Sequence, residues 1–149
     1  MKEEYVSYEC AIKLKELGFS EKVNHGYSRK MRIEPDLSYG NIKEVHSKDP
    51  KNYNDNRKGV GKGHFFYSAP RLDQAVAWLR SKGMFLMINP RYYQGDAKWC
   101  FIVQPLDDIS RQYRSECCGR LFDTYEFALS AGIDKALGLL TDKLNEIKQ

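Results

Sequence analysis

Apolar residues recur at helical spacing in three segments of the chain. The first segment covers residues 7–17, and its apolar stripe consists of Val6, Cys10, Leu14 and Leu17. Ser7 suits the N-cap, because its hydroxyl can accept a hydrogen bond from a free amide of the first turn. Gly18 can close the helix in the left-handed conformation, with Phe19 packing back on Leu14. The pattern predicts a helix whose apolar stripe lies in the core.

The second helix is predicted to start at Pro70 and to end before Gly83. Proline suits a first helical position, because the N–H that it lacks would be unpaired there. Glycine readily takes the left-handed conformation that terminates a helix. The expected buried stripe, with Trp78 at its edge, consists of Leu72, Ala75, Val76 and Leu79.

The third helix has the clearest start signal. Asp123 as N-cap and Glu126 three residues later form a capping box, and Phe122 and Phe127 are placed as a hydrophobic staple. Its apolar face consists of Ala128, Ala131, Leu137, Leu140, Leu144 and Ile147. The helix also contains two glycines, Gly132 and Gly138. Each costs about 1 kcal/mol relative to alanine in a helix, so we expect both to permit close packing.

Between the second and third helices the pattern becomes that of a sheet. Residues 84–89 predict a buried strand, and 98–104 predict another. Residues 90–97 have the Pro, Gly and Asp content of a turn, and 120–122 predict a short third strand. The order indicates an α+β fold of two layers, in which a small antiparallel sheet carries helices on one face.

Residues 20–67 show little regular pattern, because their apolar residues are scattered singly. Short strands are predicted at 30–34 and 64–68 only. We interpret the segment as a loop-rich insertion within a single domain of residues 1–149, and we expect 43–62 to be mobile.

Composition narrows the class of protein. The chain has 149 residues, of which 42% are hydrophobic and 30% charged, as in one ordinary globular domain. Its net charge of +4 is small for a dedicated nucleic-acid-binding protein. The longest apolar run, residues 84–88, is far shorter than the roughly 20 residues that cross a bilayer. The acidic N-terminus does not have the pattern of a secretion signal. We therefore expect a cytosolic protein that makes no contact with a membrane.

Candidate catalytic and metal-binding residues do not converge in the sequence. The four cysteines do not have the spacing of a disulfide framework or of a zinc site. Free thiols are therefore expected at Cys10, Cys100, Cys117 and Cys118. Exposed loop positions are expected for the three histidines, His25, His46 and His64. Asp107 and Asp108 follow a strand, but adjacent side chains point opposite ways, which favours a turn-forming role. We expect no catalytic set, no metal site and no cofactor.

Three alternatives remain open at particular residues. Arg114 and Arg120 lie near Cys117 and Cys118, which leaves a reactive thiol as a hypothesis. A glycine-rich segment lacks the spacing of a phosphate-binding Walker loop, so a flexible loop with weak phosphate contact is expected; its candidate binding residues are Arg57, Lys58 and Lys62. The predicted hairpin tip can stack on bases, bind a protein or cover the core edge; its candidate binding residues are Arg91, Tyr92 and Tyr93.

Four runs of sequence carry a resemblance to a known group: YECAIKLKELGF, APRLDQAVAWLRSKGMFLMINP, KWCFIVQPL and TYEFALSAGIDKALGLL. They resemble small proteins of gut Bacteroidetes and of their phages or prophages. The resemblance covers about half of the chain and rests on residues that pack helices and strands. It implies a shared fold and an accessory role of phage or prophage type. It supplies no activity and no functional residues.

The functional expectation follows from these observations. The element order also matches double-stranded-RNA-binding domains, but Asp123 and Glu126 stand where those domains present lysines. We expect a non-enzymatic accessory protein that binds a protein partner or itself. The alternative is a weak nucleic-acid-binding protein that uses the basic glycine-rich loop and the Tyr/Arg hairpin tip. An enzyme whose site is assembled from distant loops is the third possibility.

Overall fold

The computed structural model describes residues 4–30, 41–55, 64–108 and 110–147. In chain order, the elements of these residues are α1 (Tyr8–Glu16), β1 (Val23–Lys30), β2 (Ile42–Lys51), β3 (His64–Ser68), α2 (Leu72–Ser81), β4 (Met84–Tyr93), β5 (Asp96–Pro105), β6 (Tyr113–Arg114) and α3 (Tyr125–Ile147). A 3₁₀ turn, Ser115–Cys118, follows β6. The strands form two antiparallel sheets of three strands each. The predicted α+β class with two layers is confirmed.

The chain divides into two compact units, Met1–Arg71 and Leu72–Gln149. The first contains α1 and the sheet β2-β1-β3, and the second contains α2, α3 and the sheet β4-β5-β6. That the whole chain folds as a single domain stays a prediction.

The segment 20–67, interpreted as a loop-rich insertion, contains a regular sheet in its described part. β1 is the central strand and pairs with both β2 and β3. The interpretation was wrong because these strands lack an alternating apolar pattern. The buried positions of β1 after Val23 are His25, Gly26 and Ser28, and β2 exposes most of its side chains.

The narrower predictions for this segment have mixed outcomes. The strand at 64–68 is confirmed as β3. Of the stretch 43–62 that was expected to be mobile, 43–51 belongs to β2, and 56–62 lies outside the described residues. Of the strand predicted at 30–34, Lys30 is the last residue of β1, and 31–34 lie outside the described residues.

The predicted capping of α1 is confirmed at both ends. Ser7 Oγ accepts a hydrogen bond from Cys10 N at 3.2 Å. Gly18 has a φ of +92°, and Phe19 N donates to Leu14 O at 2.9 Å. These bonds satisfy amides and carbonyls that a helix of nine residues leaves free at its ends.

The β4–β5 hairpin is longer than predicted, because its turn contains only Gln94 and Gly95. Both residues have positive φ, +51° and +85°, as a two-residue hairpin turn of type I′ requires. Arg91, Tyr92 and Tyr93 are therefore strand residues, and the turn predicted over 90–97 was too long. The prediction was too long because it counted Pro90 as a turn residue. Pro90 instead lies in β4, an outer strand of the sheet, where proline is tolerated.

The third strand of this sheet is Tyr113–Arg114, not 120–122. Only Phe122 of the predicted strand pairs with β5, through an isolated bridge to Trp99. Each of the two residues donates its N–H to the other's carbonyl at 2.8 Å. The bridge fixes the chain directly before α3 against the hairpin.

α2 begins at Leu72, two residues later than the sequence predicts. The backbone before it serves the first unit, in which Val6 N donates to Pro70 O at 3.0 Å and Arg71 bridges to Tyr5. Trp78 is buried rather than at the edge of the helix stripe.

α3 begins at Tyr125, and its N-cap is Thr124, whose Oγ1 accepts a hydrogen bond from the N–H of Phe127 at 3.1 Å. Asp123 forms an ion pair with Lys98 instead. The predicted capping box and hydrophobic staple were therefore wrong. At the other end, the predicted apolar face stops early, because Leu144 and Ile147 are exposed.

The two glycines of α3 have different environments. A Cβ at Gly132 would lie 2.7 Å from Leu86 Cδ1 and 3.2 Å from Phe101 Cβ, so this glycine permits the close packing of α3 on β4 and β5. A Cβ at Gly138 would meet nothing within 4 Å. The prediction of close packing is confirmed at Gly132 and was wrong at Gly138.

This difference gives a matched pair of variants. Gly138→Ala should stabilise the protein by about 0.5–1 kcal/mol, because alanine favours the helix and nothing opposes its methyl group. Gly132→Ala should destabilise it by about 1–2 kcal/mol, because the methyl group overpacks against Leu86 and Phe101. Urea denaturation followed by circular dichroism measures both, and equal stability of the two variants would contradict the packing described here.

Candidate binding surface

Exposed aromatic side chains lie near the turn of the β4–β5 hairpin. Tyr92 is 83% exposed and Tyr93 is 56% exposed. As adjacent strand residues, they point to opposite sides of the sheet, so Arg91 shares the side of Tyr93 and not that of Tyr92. The hairpin thus presents a tyrosine on each side of its end.

The start of α3 adds two more exposed aromatics at the same end of the hairpin. Trp99 in β5 lies opposite Pro90, and Pro90 is two residues from Tyr92 along β4. The ring of Tyr125 packs edge-on against Trp99, with centroids 5.4 Å apart, and is itself exposed. Phe127 is 65% exposed. We call Tyr92, Tyr125 and Phe127 the aromatic end surface, because Trp99 and Tyr92 share one side of the sheet, whereas Tyr93 points to the other.

Tyr125 and Phe127 were not identified as binding residues from the sequence. Phe127 was assigned to a hydrophobic staple, which requires a helix that begins one residue earlier. With Thr124 as N-cap, the position of the staple passes to Ala128, which is buried. Phe127 is consequently left on the exposed side of the first turn.

Charged residues near the aromatic end surface are held in ion pairs. Arg91 donates two hydrogen bonds to the carboxylate of Glu116, at 2.6 and 2.9 Å. These bonds lower the pKa of Glu116 and raise that of Arg91. Lys98 donates to Asp123, which raises the pKa of Lys98. Both cations therefore stay charged and have an acidic partner.

The sequence-predicted binding residues are only partly brought together. Arg91, Tyr92 and Tyr93 lie in one strand, but the Arg91 guanidinium is directed to Glu116. Arg57, Lys58 and Lys62 lie outside the described residues.

The four cysteines have free thiols. Cys10 and Cys100 are buried, as expected of Cys10 from its helix stripe. Cys117 and Cys118 are exposed in the 3₁₀ turn. A hydrogen bond with the Cys118 side chain raises the pKa of Tyr113, so this thiol has a phenol as its neighbour. The hypothesis of a reactive thiol stays a prediction.

An open cavity of about 770 Å³ lies between the C-terminal half of α3 and the chain after β5. Two of its acidic residues are in ion pairs, Asp107 with Lys143 and Asp108 with Arg111. Asp108 Oδ1 also accepts hydrogen bonds from the N–H and hydroxyl groups of Ser110, which confirms its turn-forming role. The ion pair with Lys143 lowers the pKa of Asp107, so that carboxyl stays ionised.

The histidine environments differ from the sequence prediction. His25 is only 2% exposed and lies opposite His46 in the β1–β2 pair, with the two Nδ1 atoms 3.0 Å apart. Tyr5 stacks on the His25 ring at a centroid distance of 4.1 Å. The prediction of an exposed loop position was wrong for His25, which is buried in β1. His46 is exposed as predicted, but it lies in β2 and not in a loop. The apolar residues near these histidines occur singly, so the sequence had no alternating apolar pattern that would predict a sheet.

Within residues 4–30, 41–55, 64–108 and 110–147, no group of three or more His, Cys, Asp or Glu side chains is arranged to hold a metal ion. No helix in the same residues is long and apolar enough to cross a membrane. Comparison of the chain with protein-family models, curated proteins and solved structures finds no match.

The buried histidine generates a pH-dependent prediction. Burial, and next the charge of His46, lower the pKa of His25, although Glu44 opposes the shift. The unfolded chain then binds the proton more readily, so stability is fully present above the unfolded pKa and falls as the pH drops below it. We expect the urea concentration at the unfolding midpoint to decrease as the pH is lowered from about 7.5 to about 5.5.

His25→Gln removes the titrating group, and its urea midpoint should vary less with pH over the same interval. His46→Gln removes only the second cause of the lowered His25 pKa. The pH dependence of its urea midpoint should therefore be intermediate between those of His25→Gln and the wild type. A pH dependence identical in all three proteins would refute the assignment to His25.

Proposed function

We propose that this protein is a cytosolic, non-enzymatic binding module of phage or prophage type, related to small proteins of gut Bacteroidetes, which binds a protein partner or itself. The observation that carries the proposal is the aromatic end surface. Its three large aromatic side chains, Tyr92, Tyr125 and Phe127, are exposed at one end of the β4–β5 hairpin. Exposed apolar groups gathered in one place are typical of interaction sites.

The chemistry of these side chains supports a protein partner. Tyrosine and phenylalanine remove much apolar area from water on binding and have few rotatable bonds, so little conformational entropy is lost. Such residues are frequent among those that dominate the free energy of protein–protein binding.

The charges near the surface support a protein more than a nucleic acid. A phosphate contact by Arg91 or Lys98 would have to displace the carboxylate of Glu116 or Asp123. Charged groups already paired at a rim instead suit orientation of a protein partner. The nucleic-acid alternative rests chiefly on Arg57, Lys58 and Lys62.

The arrangement of titratable groups supports a non-enzymatic role. In the described lining of the 770 Å³ cavity, the carboxylates of Asp107 and Asp108 are held by Lys143 and Arg111. A general base is most effective when its pKa lies near the working pH, whereas the pKa of Asp107 is shifted away from it, to a lower value.

Self-association is the form of the proposal that purified protein tests directly. Sedimentation equilibrium over a concentration series should show a reversible oligomer. Tyr92→Ser with Phe127→Ser should weaken it by about tenfold or more, because two large apolar contacts are lost. The matched control is Leu106→Ser with Ile147→Ser, in which two side chains of similar exposure, 54% and 71%, are removed elsewhere in the same unit.

Equal weakening by the control pair would contradict the assignment of the interface to the aromatic end surface. If the wild type is monomeric throughout, self-association is refuted. Fluorescence anisotropy with labelled DNA and RNA then decides the alternative. Binding that weakens steeply with salt would replace the proposed function with nucleic-acid binding.

A further inference from the structure

The paired histidines of the first unit form a small site that the proposed function does not use. His25 in β1 and His46 in β2 are direct cross-strand partners. Their side chains meet through the two Nδ1 atoms, 3.0 Å apart, and their ring planes are tilted by 54°. His25 is buried in this pair, whereas His46 is exposed, so the site is open from one side.

We propose that His25 and His46 bind one divalent late transition-metal ion of the Cu²⁺ or Ni²⁺ type through their Nδ1 atoms, with water completing the coordination. The ion takes the place of the hydrogen bond between these two atoms. Imidazole nitrogen is a preferred ligand for this class of cation.

The spacing of the nitrogens suits this class of cation. At a metal–nitrogen distance of about 2.0–2.1 Å, two ligand nitrogens lie about 2.9 Å apart at a right angle and about 3.3 Å apart in a tetrahedron. The observed separation of 3.0 Å is closer to the right angle. Right angles between ligands are typical of the tetragonal sites that Cu²⁺ and Ni²⁺ prefer.

The surroundings of His25 direct its Nδ1 lone pair toward His46. Its other nitrogen, Nε2, lies 3.9 Å from a carboxylate oxygen of Glu44 and has no hydrogen-bond partner among the described residues. A proton on Nε2 is favoured there, because a bare lone pair would face a carboxylate. Nδ1 is then free of a proton and can be a ligand. In metal-binding histidines the second nitrogen commonly donates to a carboxylate, and a small movement of the exposed Glu44 side chain would bring it from 3.9 Å into that contact.

The packing around His25 holds the ring in place before an ion binds. Tyr5 stacks on one face, and Tyr27 packs edge-on with centroids 5.5 Å apart. Little conformational entropy is therefore lost at His25 when the ion binds. Only the exposed His46 needs to adjust to the ion.

Binding of the ion should stabilise the first unit. The two ligands come from different strands, so the ion links β2, an outer strand, to the central strand β1. An ion that binds only the folded chain shifts the unfolding equilibrium toward the folded state. This inference concerns the Met1–Arg71 unit and does not depend on the proposed function, whose surface lies in Leu72–Gln149.

Isothermal titration of the untagged protein with Ni²⁺ at pH 7.5 tests the proposal. We expect one ion per chain and an affinity that His46→Gln lowers by at least about tenfold. His46→Gln is the principal variant because its side chain is exposed, and circular dichroism confirms that it is folded. His64→Gln is the matched control, since it removes the third histidine of the chain, and its affinity should equal that of the wild type.

A second control excludes the exposed thiols. Cys117→Ser with Cys118→Ser should retain the Ni²⁺ affinity and also permits Cu²⁺ to be used with no exposed thiol to oxidise, since Cys10 and Cys100 are buried. The electron paramagnetic resonance spectrum of bound Cu²⁺ in this variant should show hyperfine coupling to two nitrogens. Ni²⁺ should raise the melting temperature of the wild type and not that of His46→Gln.

Three results would each overturn the proposal. The first is an Ni²⁺ affinity that is the same in His46→Gln and the wild type. The second is loss of binding in His64→Gln or in the cysteine variant, which would place the ligands elsewhere. The third is no saturable binding by the wild type, which would leave the 3.0 Å contact as a hydrogen bond only.

Discussion

The close approach of α3 to the β4–β5 hairpin at Gly132 is the constraint on which the second unit depends. Leu86 and Phe101 occupy the space where a side chain at position 132 would lie. With the helix held at this distance, the bridge between Trp99 and Phe122 closes, and Tyr125 packs edge-on against Trp99. The position of α3 therefore decides where its first turn exposes Phe127, and with it the location of the aromatic end surface.

Ion pairing determines which charges are accessible at this end of the hairpin. Arg91 and Lys98 are opposite one another in the hairpin, and each has an acidic partner outside it, Glu116 and Asp123. Exposed ion pairs contribute little to stability, about 0–1 kcal/mol each. Their effect here is to occupy the cations that a phosphate would need. The uncharged aromatic rings then remain as the accessible binding chemistry, which is why a protein partner is favoured.

The first unit shows how polar residues can form the centre of a small sheet. A Cβ at Gly26 would lie 2.7 Å from Tyr67 O, so only glycine allows β1 and the residues around it to approach so closely. The neighbouring His25 is buried because Tyr5 and Tyr27 cover it and because its Nδ1 atom has His46 as a polar partner. The same packing and pairing hold the imidazole in one orientation, which is the basis of the metal site that we propose.

The sequence by itself determined the elements whose signals are local. Ser7 marks the start of α1 and Gly18 marks its end, and the apolar run of β4 predicts a strand. Caps and buried stripes depend only on neighbouring residues, so the sequence shows them directly. The tertiary structure decided what depends on distant partners. Lys98 draws Asp123 away from the predicted cap, and β3 and β2 together make a strand of the segment around His25 and Gly26. Cross-strand pairing of β1 joins residues between 13 positions apart, as for Arg29 and Ile42, and 42 positions apart, as for Gly26 and Ser68, so no local pattern predicts it.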